Sequence, residues 1–296
     1  KFFWGDYYYA VALQKYLERQ NIYAIIDNRQ DWGCDEGADV VLVLRGKYFY
    51  RPDRRNEKCL YIMWNISHPE MVTQEEYQLY DIVCVGSRHY ARELQAKLTV
   101  PVYPLLQCTD TELFYPDQAA ECSRGKDYLF IGNSRGVARP CVLWAAQNKL
   151  PLKIWGAGWK AMLGPDKTMV QDVFIENSQI PALYRSARVT LNDHWKDMLD
   201  YQFVNNRIFD ALACGLPVIS DCCDELREIF PEAVLYYSNK EEFHQCVKEI
   251  ENNYEEVKAK VDEQWPVIKE KYSFEARARE LAEIVEKHRT ENSWLQ

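Results

Sequence analysis

The chain has 296 residues, 47% of them hydrophobic and 14% aromatic, which is enough apolar material for two domains with separate cores. A formal net charge of −9 argues against a general binder of nucleic acid or anionic membrane, while leaving room for a local basic patch. No apolar run reaches the length of a membrane span and no signal-peptide pattern opens the chain; peripheral membrane association stays open.

The start at Lys1 rather than Met, inside an apparent strand, suggests a domain cut from a longer protein. Strands and helices then alternate, the pattern of a parallel α/β architecture. Phe2–Trp4 reads as a first strand, Gly5-Asp6 as a loop and Tyr7–Arg19 as a helix. Asn21–Ile26, Ala38–Leu44, Leu60–Asn65, Asp81–Val85 and Val102–Leu106 read as strands, with helices at Thr73–Leu79 and Arg88–Leu98. This makes a Rossmann-like half over residues 1–108. Polar residues 109–126 read as a linker. A second half over 127–272 begins with strand Asp127–Ile131, turn Gly132–Gly136 and helix Val137–Lys149. Strands follow at Leu152–Trp155, Val170–Ile175, Val189–Asn192, Pro217–Ser220 and Ala233–Tyr237, with helices at Ile180–Ser186, Asn205–Cys214, Glu225–Phe230 and Lys240–Asn253. The amphipathic Phe274–Arg289 closes the chain within 273–296.

Ten cysteines are scattered without metal-ligand spacing, and Cys59, Cys84, Cys141 and Cys214 sit in apolar segments as buried free thiols do. A reduced, cytoplasmic protein is the natural reading.

The most informative stretch is Tyr201–Asp221, YQFVNNRIFDALACGLPVISD. Ile208, Phe209, Leu212 and Ala213 fall on one helical face, and Gly215 and Pro217 supply the stop. Asn205, Asn206 and Arg207 crowd the helix start, where unpaired N–H groups and a guanidinium make a seat for phosphate. Asp210, one turn on, can reach sugar hydroxyls.

Gly132-Asn133-Ser134-Arg135-Gly136 follows a strand; its glycines let a backbone approach a diphosphate and Arg135 can neutralise it, against the plainer reading of an ordinary βα turn. Asn192-Asp193-His194-Trp195 ends a strand where α/β sheets hold ligands, or serves as a helix cap. His68 and Ser87 sit at two strand ends of the first half, and Asp6, which can equally be an N-cap, faces the same way. There is no Asp-x-Asp pair, no Gly-x-Ser-x-Gly elbow and no His/Cys metal cluster in the sequence.

The Asn205–Gly215 run resembles the donor-binding signature of GT-B glycosyltransferases of the family 4 type, with Gln202 and Asp210 at the two positions usually held by Glu. The Asn-x-Arg-x-Phe-acid-Ala-x-Ala-Cys-Gly form is closer to the spore-maturation, CgeB-like branch. Asp110, Phe114 and Pro116 match the hinge pattern of such enzymes. The resemblance implies a GT-B fold: two Rossmann-like domains facing across a cleft, with the C-terminal helix crossing back to the first. It implies transfer of a sugar from a nucleotide-diphosphate sugar to a hydroxyl of a carbohydrate or lipid-linked glycan, as in bacterial surface polysaccharide biosynthesis, with no cofactor and no metal. In that scheme Gly132, Asn133, Arg135, Gly136, Trp155, Gly158, Trp159, His194, Tyr201, Gln202, Phe203, Asn205, Asn206, Arg207 and Asp210 line the donor, Trp159 stacking on a base or walling the pocket. Gly5, Tyr7, Tyr8 and Ser87 face the acceptor. Asp6 or His68 is the base of an inverting reaction, and Asp193 orients the sugar. Retention of configuration is slightly favoured, although Gln202 carries no charge. A nucleotide-sugar sensor or an epimerase on the same fold is the alternative.

Overall fold

Runs of Val, Leu, Ile and aromatic residues with no polar face have nowhere to sit but between two covering layers, and here they form two all-parallel sheets. The computed structural model describes residues 5–33, 37–117, 124–137 and 139–292. The chain divides into one unit of Lys1–Cys108, Lys196–Val204 and Lys271–Gln296 and another of Thr109–Trp195 and Asn205–Glu270.

In the first unit β1 (Val40–Arg45), β2 (Leu60–Asn65), β3 (Ile82–Val85) and β4 (Val102–Pro104) lie in the order β1-β2-β3-β4. Every residue of β2 and β3 is buried. The helix Gly5–Arg19 covers this sheet together with the C-terminal helix Phe274–Asn292. Phe274 meets Tyr9 edge-on at 4.5 Å between ring centroids and stacks on Tyr16 at 6.4 Å. The last helix is therefore core to the unit that opens the chain.

The strand expected at Phe2–Trp4 lies outside the described residues, and Gly5-Asp6, expected as a loop, already belongs to the first helix. The strand expected at Asn21–Ile26 does not form: Tyr23 is 85% and Ile25 73% exposed, and the Ala24 carbonyl accepts from Gln14 Nε2 at 2.6 Å. Alternating apolar residues do not make a strand unless a neighbour satisfies the ladder of N–H and C=O groups.

In the second unit β5 (Tyr128–Ile131), β6 (Leu152–Trp155), β7 (Val170–Asp172), β8 (Val189–Asn192), β9 (Val218–Ser220) and β10 (Val234–Tyr236) lie in the order β10-β9-β8-β5-β6-β7. This is the doubly wound Rossmann order: the chain starts mid-sheet, winds out through β6 and β7, and returns to the other side of β5 with β8. The reversal between β5 and β8 opens a crevice at their carboxyl ends, the usual ligand position of such sheets.

The helix expected from Val137 begins only at Pro140, with Arg139 as N-cap. Proline lacks the N–H that an interior helical position needs, so it marks the first turn. The helix Asn206–Ala213 is buried from Ile208 onward and ends in a Schellman motif. The N–H of Leu216 donates to Ala211 O and that of Gly215 to Leu212 O, both at 3.0 Å, and Gly215 adopts φ 66. Among the described residues no helix is long and apolar enough to cross a membrane.

Candidate functional site

The crevice of the second unit is built around three arginines and two aromatic rings. Arg139 is 5% exposed. Its Nε donates to Asp193 Oδ2 at 2.6 Å, one terminal nitrogen to Oδ1, and the same nitrogen to the Asp193 carbonyl at 3.1 Å. Its guanidinium lies 5.3 Å from the centroid of Phe130 and 5.6 Å from that of Trp195. Arg207 lies 5.5 Å from Phe130 and Arg135 4.8 Å from Trp195, so Arg139 links the other two through shared rings.

Arg207 spans the reversal point. Its terminal nitrogens donate to Ile131 O, at the end of β5, at 3.0 Å and to Asp193 O, just past β8, at 3.2 Å. A Cβ on Gly132 would sit 2.8 Å from this guanidinium, which explains glycine there. Arg207 pairs with no carboxylate among the described residues. Burial, and next the positive charge of Arg139, press its pKa below the ordinary value. Arginine cannot escape by losing its proton, so the arrangement favours an anion.

Arg207 is the second residue of the helix Asn206–Ala213. Its N-cap Asn205 makes no side-chain capping bond, and both its amide oxygen and nitrogen are buried without a partner. Asn192 Oδ1, at the end of β8, is also buried and unpartnered. Buried polar atoms are seldom left so, and a ligand with acceptor and donor groups would satisfy them.

Several expected ligand contacts turn out to be supports. Asp193 is 4% exposed with both oxygens held by Arg139, so it cannot orient a sugar. The His194 side chain is fully buried; Nδ1 binds Asp221 Oδ1 at 2.6 Å and Nε2 receives the Asn205 N–H at 3.4 Å, so it steadies the helix start. Burial pushes the Asp221 carboxyl up, but the His194 ring and its hydrogen bonds outweigh this and hold it below the usual range. Asp210 accepts from Thr109 Oγ1 at 2.6 Å and from Asn206 Nδ2 at 3.1 Å. Burial pushes its carboxyl up to about 7, against the Thr109 hydrogen bond and the Arg207 charge.

Trp159 is 0% exposed and donates from Nε1 to Gly132 O at 2.7 Å, so it props the turn and cannot stack on a base. Asn133 Oδ1 accepts the Ala157 N–H at 2.7 Å, fastening the turns after β5 and β6 together. Half-buried Trp155 ends β6 and accepts from Gly132 N at 2.8 Å, and Gly158 turns at φ 83 before the helix Trp159–Leu163. A Cβ on Gly156 would come 2.2 Å from Gly132 O, so these two turns touch backbone to backbone. Arg135 and Gly136 both adopt positive φ at the crest of the first turn.

Tyr201, Gln202 and Phe203, expected beside Asn205, belong to the other unit, because Lys196–Val204 packs there. Phe203 is 0% exposed and lies against Gly86, and Tyr201 meets Tyr90 edge-on at 4.6 Å. In the same unit Ser87 is fully buried and caps the helix Arg88–Gln95 by accepting from Tyr90 N at 3.0 Å, which leaves it no role toward an acceptor. Asp6 is exposed at the start of the first helix, and a Cβ on Gly46 would lie 3.2 Å from its Oδ2 and 3.3 Å from Ser67 Oγ. Asp6 thus lies close to the turn that follows β1. Tyr7 and Tyr8 follow it half-buried and edge to face, and Gly5 is exposed with open space around it. His68 lies near Glu70 and Asp197. Arg139, the support of the whole crevice, is not among the residues the sequence motifs single out; its one local signal is the Arg-Pro pair at a helix start.

Residues 139–283, just under half of the chain, match a family model described as glycosyl transferase-like. No curated protein matches the sequence. Sucrose-phosphate synthase from Thermosynechococcus elongatus superposes with a TM-score of 0.63 at 16% identity, over 79% of this chain and 69% of that one. The trehalose 6-phosphate synthase of Burkholderia multivorans gives 0.64 at 9% identity, over 95% and 81%. Anabaena HepE, solved with UDP and glucose, gives 0.59 at 11% identity, over 79% and 73%. The fold is GT-B. Its two Rossmann-like units are those described above, and the matched region contains Arg139, Asp193, Arg207 and Asp210.

Proposed function

We propose that this protein is a glycosyltransferase that takes a sugar from a nucleoside diphosphate donor and passes it to a hydroxyl acceptor. One observation carries the reading: Arg207 is held at the β5–β8 reversal without a carboxylate, next to an open helix start whose Asn205 amide has no partner. A diphosphate there would accept from Arg207, from the Asn205 amide and from the first helical N–H groups, with Arg135 on Trp195 adding a second charge. These groups would stabilise the leaving diphosphate without a metal at that position. The family match over this region and the GT-B fold support the same class.

The Asn205–Gly215 run favours the family 4, CgeB-like branch and hence retention of configuration. On the acceptor side, Asp6 is the candidate base should the reaction invert. A bacterial surface glycan or its lipid-linked precursor is the acceptor class, and the eight described cysteines, all free, suit the cytoplasm. HepE was solved with UDP, which makes UDP the first probe.

Calorimetric titration with UDP, GDP, dTDP and CMP tests the site, followed by turnover assays with the matching sugar nucleotides in EDTA. One diphosphate should bind, and Arg207→Ala should weaken it by ~30–150-fold. Undiminished binding by Arg207→Ala would overturn the reading. Binding without transfer or hydrolysis would instead favour a nucleotide-sugar-binding protein, a reading helped by the full engagement of both Asp193 and Asp210. Isomerised donor sugar would indicate an epimerase.

A further inference from the structure

The first unit brings together three side chains that have no part in the donor site. His68 and Glu70 lie in the turn after β2, and Asp197 lies on the short helix Lys196–Asp200. His68 Nδ1 is 3.7 Å from Glu70 Oε1 and 3.7 Å from Asp197 Oδ2, and one ligand atom from each residue falls within 4.8 Å of the others. These separations are too long for hydrogen bonds. Two donors about 2.1 Å from a common ion and about 120° apart are roughly 3.6 Å from one another, which fits. A second observation points the same way: Asp197 Oδ2 is shut off from water and has no hydrogen-bond donor. Two carboxylates facing one another repel unless something positive lies between them. A divalent cation between them balances both.

We propose that His68, Glu70 and Asp197 bind one divalent transition-metal ion of the Zn2+ or Mn2+ type, which fastens the helix Lys196–Asp200 to the turn after β2. The imidazole disfavours Mg2+ and Ca2+, which prefer all-oxygen shells, and the absence of thiolate from the set disfavours Cu(I). Glu70 is exposed, so the ion enters from solvent and keeps open positions for water. The proposal is independent of the donor reading, because every ligand belongs to the first unit.

The test uses the full chain stripped with EDTA and titrated with Zn2+, and separately with Co2+ as a spectroscopic probe. One equivalent per chain should bind and raise Tm by several degrees, with Co2+ showing d–d bands and no thiolate charge-transfer band. Asp197→Asn, His68→Ala and Glu70→Gln should each weaken binding by ~10-fold or more. Their melting in EDTA, compared with that of the unmutated protein, separates lost ligation from lost folding; Glu70 is exposed, so its variant keeps the test available if another fails to fold. Absence of stoichiometric binding, binding undiminished in all three variants, or a Co2+–thiolate band would each overturn the site.

Discussion

Both units bury an arginine against a carboxylate at a strand's carboxyl end, and among the described residues the second unit keeps a further guanidinium there, Arg207, that pairs with no carboxylate. In the first unit Arg45, the last residue of β1, donates from Nε to Glu76 Oε1 at 2.5 Å and from a terminal nitrogen to Oε2 at 3.1 Å. Its remaining bonds go to the carbonyls of Gly46 and Met71, so its charge is answered within the unit. In the second unit Asp193 answers Arg139, and Arg207 is left with backbone carbonyls alone. The same residue types thus build a closed joint in one sheet and a receptor for an anion in the other. The difference is one carboxylate, placed beside a sheet that reverses its winding.

The largest expected effects test the closed pairs. Glu76→Ala and Asp193→Ala each leave a buried guanidinium unpaired and should destabilise by about 3–5 kcal/mol in urea unfolding. If Asp193→Ala proved much milder than Glu76→Ala, Arg139 would be sharing its charge with solvent and the crevice would be wetter than the geometry indicates.

Asp210 comes next. Its carboxyl is raised to about 7 in the fold, so the folded state holds its proton where the unfolded chain has released it. Stability from this group is complete below about pH 4, falls as pH rises, and is gone above about 7, a swing of up to ~4 kcal/mol. Asp210→Asn keeps an acceptor for Thr109 and should flatten this slope in melting curves taken from pH 4 to 8.

Arg207→Ala should cost about 2–3 kcal/mol of UDP affinity, and Arg45→Ala none beyond its effect on folding. Equal losses from both would dissolve the contrast between the units. Gly215→Ala should destabilise by about 1–2 kcal/mol, because φ 66 is strained for alanine and the added Cβ crowds Asp262 and Lys258. The smallest effect belongs to the exposed pair of Lys196 and Asp200: Lys196→Ala should change stability by less than about 0.5 kcal/mol.

Much of this was legible in the chain. Strands Leu60–Asn65, Leu152–Trp155 and Val189–Asn192 and the helix Ile180–Ser186 lie where apolar runs and flanking turn residues place them. The helix Asn206–Ala213 starts and stops where Asn205 and Gly215 require. Asn21–Ile26 failed because its alternation says nothing of a partner strand. For Phe203 and Trp159 the sequence leaves ligand contact and packing both open, because an aromatic beside a polar loop reads the same whether it faces a ligand or a core. In the fold both are fully buried.

The sequence alone therefore determined most of the elements and several of their caps, and it gathers Asn205, Asn206 and Arg207 at one helix start, because these follow from contacts within a few residues. The winding order, the transfer of Lys196–Val204 to the other unit, the gathering of His68 with Asp197 and the choice of which arginine stays unpaired were decided only by tertiary structure. Arg139 and Asp193 lie 54 positions apart, and no local rule states that they meet. Their meeting engages Asp193 with Arg139 and leaves Arg207 on backbone carbonyls in a buried place, where charge is answered only by what the fold brings close.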